Sequence, residues 1–186
     1  MASSYTSFGV EIMVTGENSG TWGSKTNTNL TLVEQAIGGY EAVSIAGGAQ
    51  TTALVMSNAA LSNARNAVIE LTGTITGNQI VTVPDSLEKT YIIKNNTTGA
   101  FTVQFKTVSG TGPTFSTTDK GTRILYSNGT NVIDVNAAFT TINQYTLPGS
   151  DGTSGQALLT DGSGNLSFGD AGISTGKAIA MAIVFG

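Results

Sequence analysis

Between residues 40 and 135 the chain keeps starting short apolar stretches and breaking them off. "EAVSIA", "TTALVMS", "NAVIELTGTI", "QIVTVP", "KTYIIKN", "FTVQFKTV" and "TRILYSNGTNVIDV" follow one another, separated by "GGAQ", "TGN", "DSLE", "NNTTGA", "SGTGP" and "SNGTN". Apolar side chains recur at every second place or run together, and turn residues return roughly every 8–12 positions. That rhythm predicts an antiparallel β-sandwich or barrel. The pair Asn128-Gly129, between Ile124-Leu125-Tyr126 and Val132-Ile133, predicts a hairpin, since a type I′ turn needs φ > 0 and Asn-Gly supplies it cheaply. Thr, Ser, Asn and Gly together supply 84 of 186 residues, types that favour turns, caps and strands over helix interiors. With 39% hydrophobic content, the chain has a core to build and is not expected to be disordered.

One stretch departs from this rhythm. In "TWGSKTNTNLTLVEQAIGG" Leu30, Val33, Ala36 and Ile37 share a helical face, Glu34 and Gln35 point away, and Gly38-Gly39 supplies the stop. Ser24 or Thr26 is the expected cap. Trp22 reads either as a plug beside this helix or as an anchor in another subunit. Ahead of it, "FGVEIMV" at residues 8–14 reads as a short strand or extended arm. Beyond the Pro148-Gly149 break, "DGTSGQALLTDGSGNLSFGD" alternates large apolar with small polar residues. At the end, Ile179, Met181, Ile183 and Phe185 fall on one face and Ala178, Ala180, Ala182 and Val184 on the other. These are too few to span a bilayer as a helix, which needs about 20 residues, so a strand covered on both faces by neighbouring chains is expected. The organisation read from these signals is a docking arm and helix at 1–39, a β-sandwich domain at 40–137, and a linker with a glycine-rich trimerisation segment at 138–186.

The missing residue types narrow the chemistry. There is no His and no Cys, which removes Ser/His/Asp and Cys/His nucleophilic arrangements, the usual zinc sites and any disulfide framework. Eight Lys and Arg, scattered at positions such as Lys25, Arg65, Lys89, Lys94 and Arg123, form no basic stripe for nucleic acid. The opening residues lack a basic stretch followed by an apolar run, so no secretory signal is expected. "GISTGKA" at residues 172–178 misses the phosphate-loop spacing and has Ala178 where Ser or Thr is needed. In "DGSGN", Asp161, Ser163 and Asn165 have calcium-loop spacing, but Leu166 stands where Gly is required, so an Asp-Gly turn is the better reading. No two acidic residues are paired in sequence as a glycosidase would need. No catalytic residue, metal ligand or cofactor is assigned: the chain reads as a non-enzyme.

The segment "LPGSDGTSGQALLTDGSGNLSFGDAG" resembles an element of phage tail fibres and other virion appendages with the pattern G-Q-x-L-x-T-[DN]-G-x-G-x-L-x-[FW]. Gly155, Gln156, Leu158, Thr160, Asp161, Gly162, Gly164, Leu166 and Phe168 match it. "TGENSGTWGSKTNTNLTLVEQAIGG" is similar to the opening of virion structural proteins of marine phages, and "KTYIIKNNTTGAFTVQF" and "TRILYSNGTNVIDV" are similar to strand pairs in that group. The resemblance implies an intertwined homotrimer with a β-shaft, placed on the outside of a virion and assembled in the host cytoplasm. It implies a short tail fibre or fibre-adaptor subunit that docks by its N-terminus on other virion proteins of tail or capsid. A capsid decoration or cement protein is the alternative. A carbohydrate-binding module is the third reading, with host-surface glycan as partner and Tyr40, Tyr91, Tyr126 and Tyr145 available for stacking. Neither nucleic acid nor membrane insertion is expected. Interface candidates are Trp22, Leu30, Val33, Ile37, Leu158, Leu166, Phe168, Ile179, Met181, Ile183 and Phe185.

Overall fold

The computed structural model describes residues 3–136, 141–142, 145–170 and 183–184. The chain divides into two compact units, Met1–Asn136 and Ala137–Gly186. In chain order the first unit contains β1 (Ser4–Tyr5), β2 (Glu11–Ile12), α1 (Trp22–Gly38), β3 (Tyr40–Ser44), β4 (Gln50–Ala53), β5 (Val68–Thr74), β6 (Gln79–Val83), β7 (Glu88–Thr98), β8 (Val103–Thr107), β9 (Thr114–Phe115), β10 (Thr122–Asn128) and β11 (Val132–Asp134). The second contains β12 (Thr141–Ile142), β13 (Tyr145–Thr146), β14 (Gln156–Thr160) and β15 (Leu166–Asp170).

The protein is mainly β with one helix, and all seven apolar stretches of residues 40–135 contain strands. How they pair differs from the antiparallel expectation. One sheet runs β11-β10-β7-β5-β3 and the other β4-β6-β8-β9, and neither closes into a barrel. The first six of these strands alternate between the two sheets, and within each sheet they are parallel: β3 with β5 and β5 with β7, β4 with β6 and β6 with β8. Three circuits, β3–β4, β5–β6 and β7–β8, therefore stack as a short β-helical winding. Parallel neighbours need a crossover of a dozen residues or more, and here the strand in the opposite sheet supplies it. The winding then reverses: β9 runs antiparallel to β8, and β10 to β7. The β10–β11 hairpin forms as read, but through a three-residue loop, residues 129–131, over which Asn128 Oδ1 accepts the Thr130 and Asn131 amides and only Gly129 has positive φ.

Alternation along β7 sends Lys89, Tyr91, Ile93, Asn95 and Thr97 inward. With Ile69, Leu71, Val81, Val83, Val103, Phe105, Phe115 and Leu125 they fill the space between the sheets, and the Tyr91 and Phe105 rings meet edge to face at 5.6 Å. The corners stack as well. Gly47 bridges to Ile75, Gln79 Nε2 donates to the carbonyls of Gly47, Gly48 and Gly77, and Gly99 turns with φ of 102°, where a Cβ would stand 2.2 Å from the Ile75 oxygen. Only glycine fits that corner.

The N-terminal arm is not one strand. It doubles back at Gly9 to pair β1 with β2; at that turn φ is 70°, and a Cβ would lie 2.3 Å from the Ser57 carbonyl and 2.7 Å from Arg65. Arg65 is fully buried and donates to the Phe8 carbonyl (2.8 Å), Gln35 Oε1 (3.0 Å), the Ala60 carbonyl (2.6 Å) and the Ser57 carbonyl (2.5 Å). Arm, helix and the 54–67 loop thus meet on one guanidinium. A second tie joins arm to helix: Glu11 pairs with Lys25 at 2.9 Å, and Asn29 exchanges two hydrogen bonds with the Glu11 backbone. The N-cap of α1 is Thr21, not Ser24 or Thr26, and Gly39 closes the other end with its amide on the Gln35 carbonyl.

In the second unit β14 and β15 form an antiparallel hairpin. Asp161 turns it by accepting the Ser163 and Asn165 amides and Asn165 Nδ2, which is the turn reading of "DGSGN". The expected C-terminal strand is corrected where it is described, since Ile183 and Val184 are helical and exposed; Ile179, Met181 and Phe185 lie outside the described residues.

Arg65→Met leaves four oxygens without their donor, which costs on the order of 3 kcal/mol or more, and Arg65→Lys fails to restore the fold because one ammonium cannot replace the planar fork. Thermal unfolding of both variants checks this. Lys89 donates to the Asn66 and Thr90 carbonyls and lies 4.4 Å from the Tyr91 ring centroid. Burial pushes its ammonium from 10.5 down to about 8. The unfolded chain keeps a proton that the folded chain releases above about pH 8, so stability rises with pH from there toward 10.5 and the burial penalty is fully present below. Denaturant unfolding at pH 7 and pH 9.5 shows this rise in the wild type relative to Lys89→Met, which lacks it.

Candidate interface surfaces

The helix turns its apolar stripe outward. Trp22 is 64% exposed, Leu30 62% and Ile37 76%, and Val33 stands exposed beside them. Leu32 is the buried residue of α1. Expected to face away, Gln35 instead points inward, where its Oε1 accepts from Arg65 and from the Ser62 amide. The helix therefore attaches to its own unit largely through polar contacts made by Lys25, Asn29 and Gln35, with Leu32 as the apolar point. Glu11 belongs to this attachment: the Lys25 ammonium, with the Ser3 hydroxyl behind it, holds its carboxyl below the usual carboxylate range.

In the second unit, the β14–β15 register sets Leu158 opposite Phe168 and Thr160 opposite Leu166. Directly opposed residues share a face, as do residues two apart along a strand. Leu158, Leu166 and Phe168 therefore lie together on one side of the hairpin and Leu159 on the other. Leu158, Leu159 and Phe168 are exposed and Leu166 is half-buried. Gly152 lies over the Phe168 ring, where a Cβ would stand 2.6 Å from it.

A third surface was not among the sequence candidates. The outer face of the five-stranded sheet carries Tyr40, Val68, Ile92 and Ile124 as direct neighbours across four strands. Tyr126 and Ile133 are paired beside them. Period-two alternation in β7 and β10 held the signal, but a strand run such as "KTYIIKN" does not say which parity faces the core. The outer face of the other sheet differs: Thr51, Ile80 and Gln104 form its row, with Lys106 two places on.

Among the described residues no group of three or more metal-ligating side chains stands together, and no helix is long and apolar enough to cross a membrane. Of the tyrosines proposed for sugar stacking, Tyr91 is inside the core, Tyr40 and Tyr126 are on the outer face of the five-stranded sheet, and Tyr145 is exposed in the second unit. No protein-family model, curated protein or solved structure matches the chain, so the surfaces are read from their own chemistry.

The orientation of α1 has a direct consequence for mutagenesis. Leu32→Ala costs about 2–4 kcal/mol at any protein concentration. Leu30→Ala, which truncates an exposed side chain, changes stability by no more than about 0.5 kcal/mol over the same concentrations. Melting curves across a hundredfold concentration range (about 1–100 μM) separate the two.

Proposed function

We propose that this chain is a non-enzymatic structural subunit of a phage virion, a short tail-fibre or fibre-adaptor protein that assembles as a homotrimer. The observation that carries the reading is the β14–β15 hairpin. Its Leu158, Leu159 and Phe168 are exposed in the single chain, and a two-stranded hairpin is marginal in water without a surface to pack on. Leu158, Leu166 and Phe168 on one face supply what three copies bury together around a shared axis, and closure around an axis removes the unpaired strand edges. The resemblance of residues 155–168 to trimeric shaft elements supports the same reading. So does α1, whose outward Trp22, Leu30, Val33 and Ile37 offer a docking stripe for another virion protein while its inward polar face stays tied to the arm. The work of such a subunit is mechanical: it links and spaces components on the outside of the particle.

Sedimentation equilibrium of the full chain is expected to return about three times the 19.0 kDa chain mass, and Phe168→Asp, which places a charge on the shared face, is expected to lower that mass. A wild-type mass of one chain at micromolar concentration overturns the reading.

A further inference from the structure

Three polar side chains meet where the parallel strands β3, β5 and β7 begin. Lys89 is the second residue of β7, Asn66 stands two places before β5, and Glu41 is the second residue of β3. Lys89 is 6% exposed and Asn66 3%. The Lys89 ammonium donates to the Asn66 backbone carbonyl at 3.0 Å and has the Tyr91 ring centroid at 4.4 Å; among the described residues it makes no ion pair. The Asn66 side-chain amide donates from Nδ2 to Glu41 Oε2 at 2.9 Å and to the carbonyls of Ser62 and Asn63. Its Oδ1 packs against Gly39, where a Cβ would stand 2.4 Å away. An amine, a carboxamide and a carboxyl are thus brought together by three neighbouring strands. Burial lowers the Lys89 ammonium to about 8, so the neutral, nucleophilic amine is reached in mild base, as for other desolvated lysines. A buried ammonium without a counter-charge is costly, and a covalent bond at its nitrogen removes that charge permanently.

We propose that Lys89 and Asn66 join in an intramolecular isopeptide bond, with Glu41 as the residue that moves the proton. The Lys89 Nζ lone pair attacks Cγ of Asn66, and the Nζ–Cγ bond forms. The Cγ–Nδ2 bond then breaks, Glu41 passes the proton lost by Nζ to Nδ2, and that nitrogen leaves as ammonia. No oxidant, reductant or other reactant enters. Glu41 already touches the leaving nitrogen, which is where the proton has to be delivered. The bond closes residues 66–89 into one covalent loop that holds β5 and β6, so this circuit of the winding cannot be pulled open. In a chain without cysteine it supplies the cross-link that a disulfide gives elsewhere. The step is internal to the first unit and does not depend on the assembly proposed above. The pH-dependent stability described for the Lys89 ammonium belongs to the chain before this step.

Wild type, Lys89→Met and Glu41→Gln are held folded above pH 8, where the amine is neutral, with wild type in denaturant alongside, and intact mass is followed over days. Folded wild type is expected to lose one ammonia, about 17 Da, and its digest to contain a branched peptide joining residues 66 and 89. Lys89→Met and the unfolded chain are expected to yield no such peptide. Glu41→Gln keeps an oxygen for Nδ2 and is expected to retain its β signal in circular dichroism while forming the branched peptide at least about tenfold more slowly. Separate, unmodified peptides around residues 66 and 89 in the folded wild type overturn the inference, even where the mass falls, since a succinimide at Asn128-Gly129 loses the same ammonia. Equal conversion in folded Glu41→Gln also overturns it, because the carboxyl then plays no part.

Discussion

A guanidinium with no carboxylate among its bonds holds the N-terminal part of this fold in place. Arg65 is wholly buried, and burial pulls its pKa down, yet a guanidinium stays charged in proteins. Its desolvation is offset by backbone carbonyls and one amide, all acceptors with lone pairs to give. The other hold at that end is the Glu11–Lys25 pair with the two Asn29 bonds to the Glu11 backbone. The arm strands are two residues each, and α1 buries Leu32. Because the helix is held through Gln35, Asn29 and Lys25, its apolar stripe is left free to face away from its own unit. One polar node thus decides both how the arm and helix attach and which surface they present.

How far the sequence could be read follows from what each signal measures. Alternation marks strands, and the stretches from "EAVSIA" to "TRILYSNGTNVIDV" are strands. It does not report whether the next strand pairs with its predecessor or crosses to a second sheet, since "GGAQ" and "NNTTGA" turn a corner with the same residues that reverse a hairpin. The repeat was hidden too, because Tyr40 stands beside Val68 and Val68 beside Ile92 at unequal steps along the chain. For α1, spacing correctly grouped Leu30, Val33 and Ile37 on one face, but periodicity alone assigns no direction. The partner that settled it, Arg65, is 30 residues from Gln35 and carries no local sign of burial. In the second unit the Asp161-Gly162 turn and the period-two alternation were legible, but the pairing of β14 with β15 was not, since the same turn can offset a chain as well as reverse it.

The two faces of the winding have opposite characters, and that difference bears on what an assembly needs. A chain with 11% charged residues and a net charge of -4 has little electrostatic repulsion to keep exposed apolar surface apart. If both sheets turned apolar rows outward, copies would add to either face and grow without limit, since contacts that do not close make open arrays. Here one outer face carries an apolar row and the other carries Thr51, Gln104 and Lys106, which stay solvated at little cost. The mixed strand order ends the winding: the antiparallel β9 and β10 pair with β8 and β7, whose edge groups a further parallel circuit would otherwise have to satisfy.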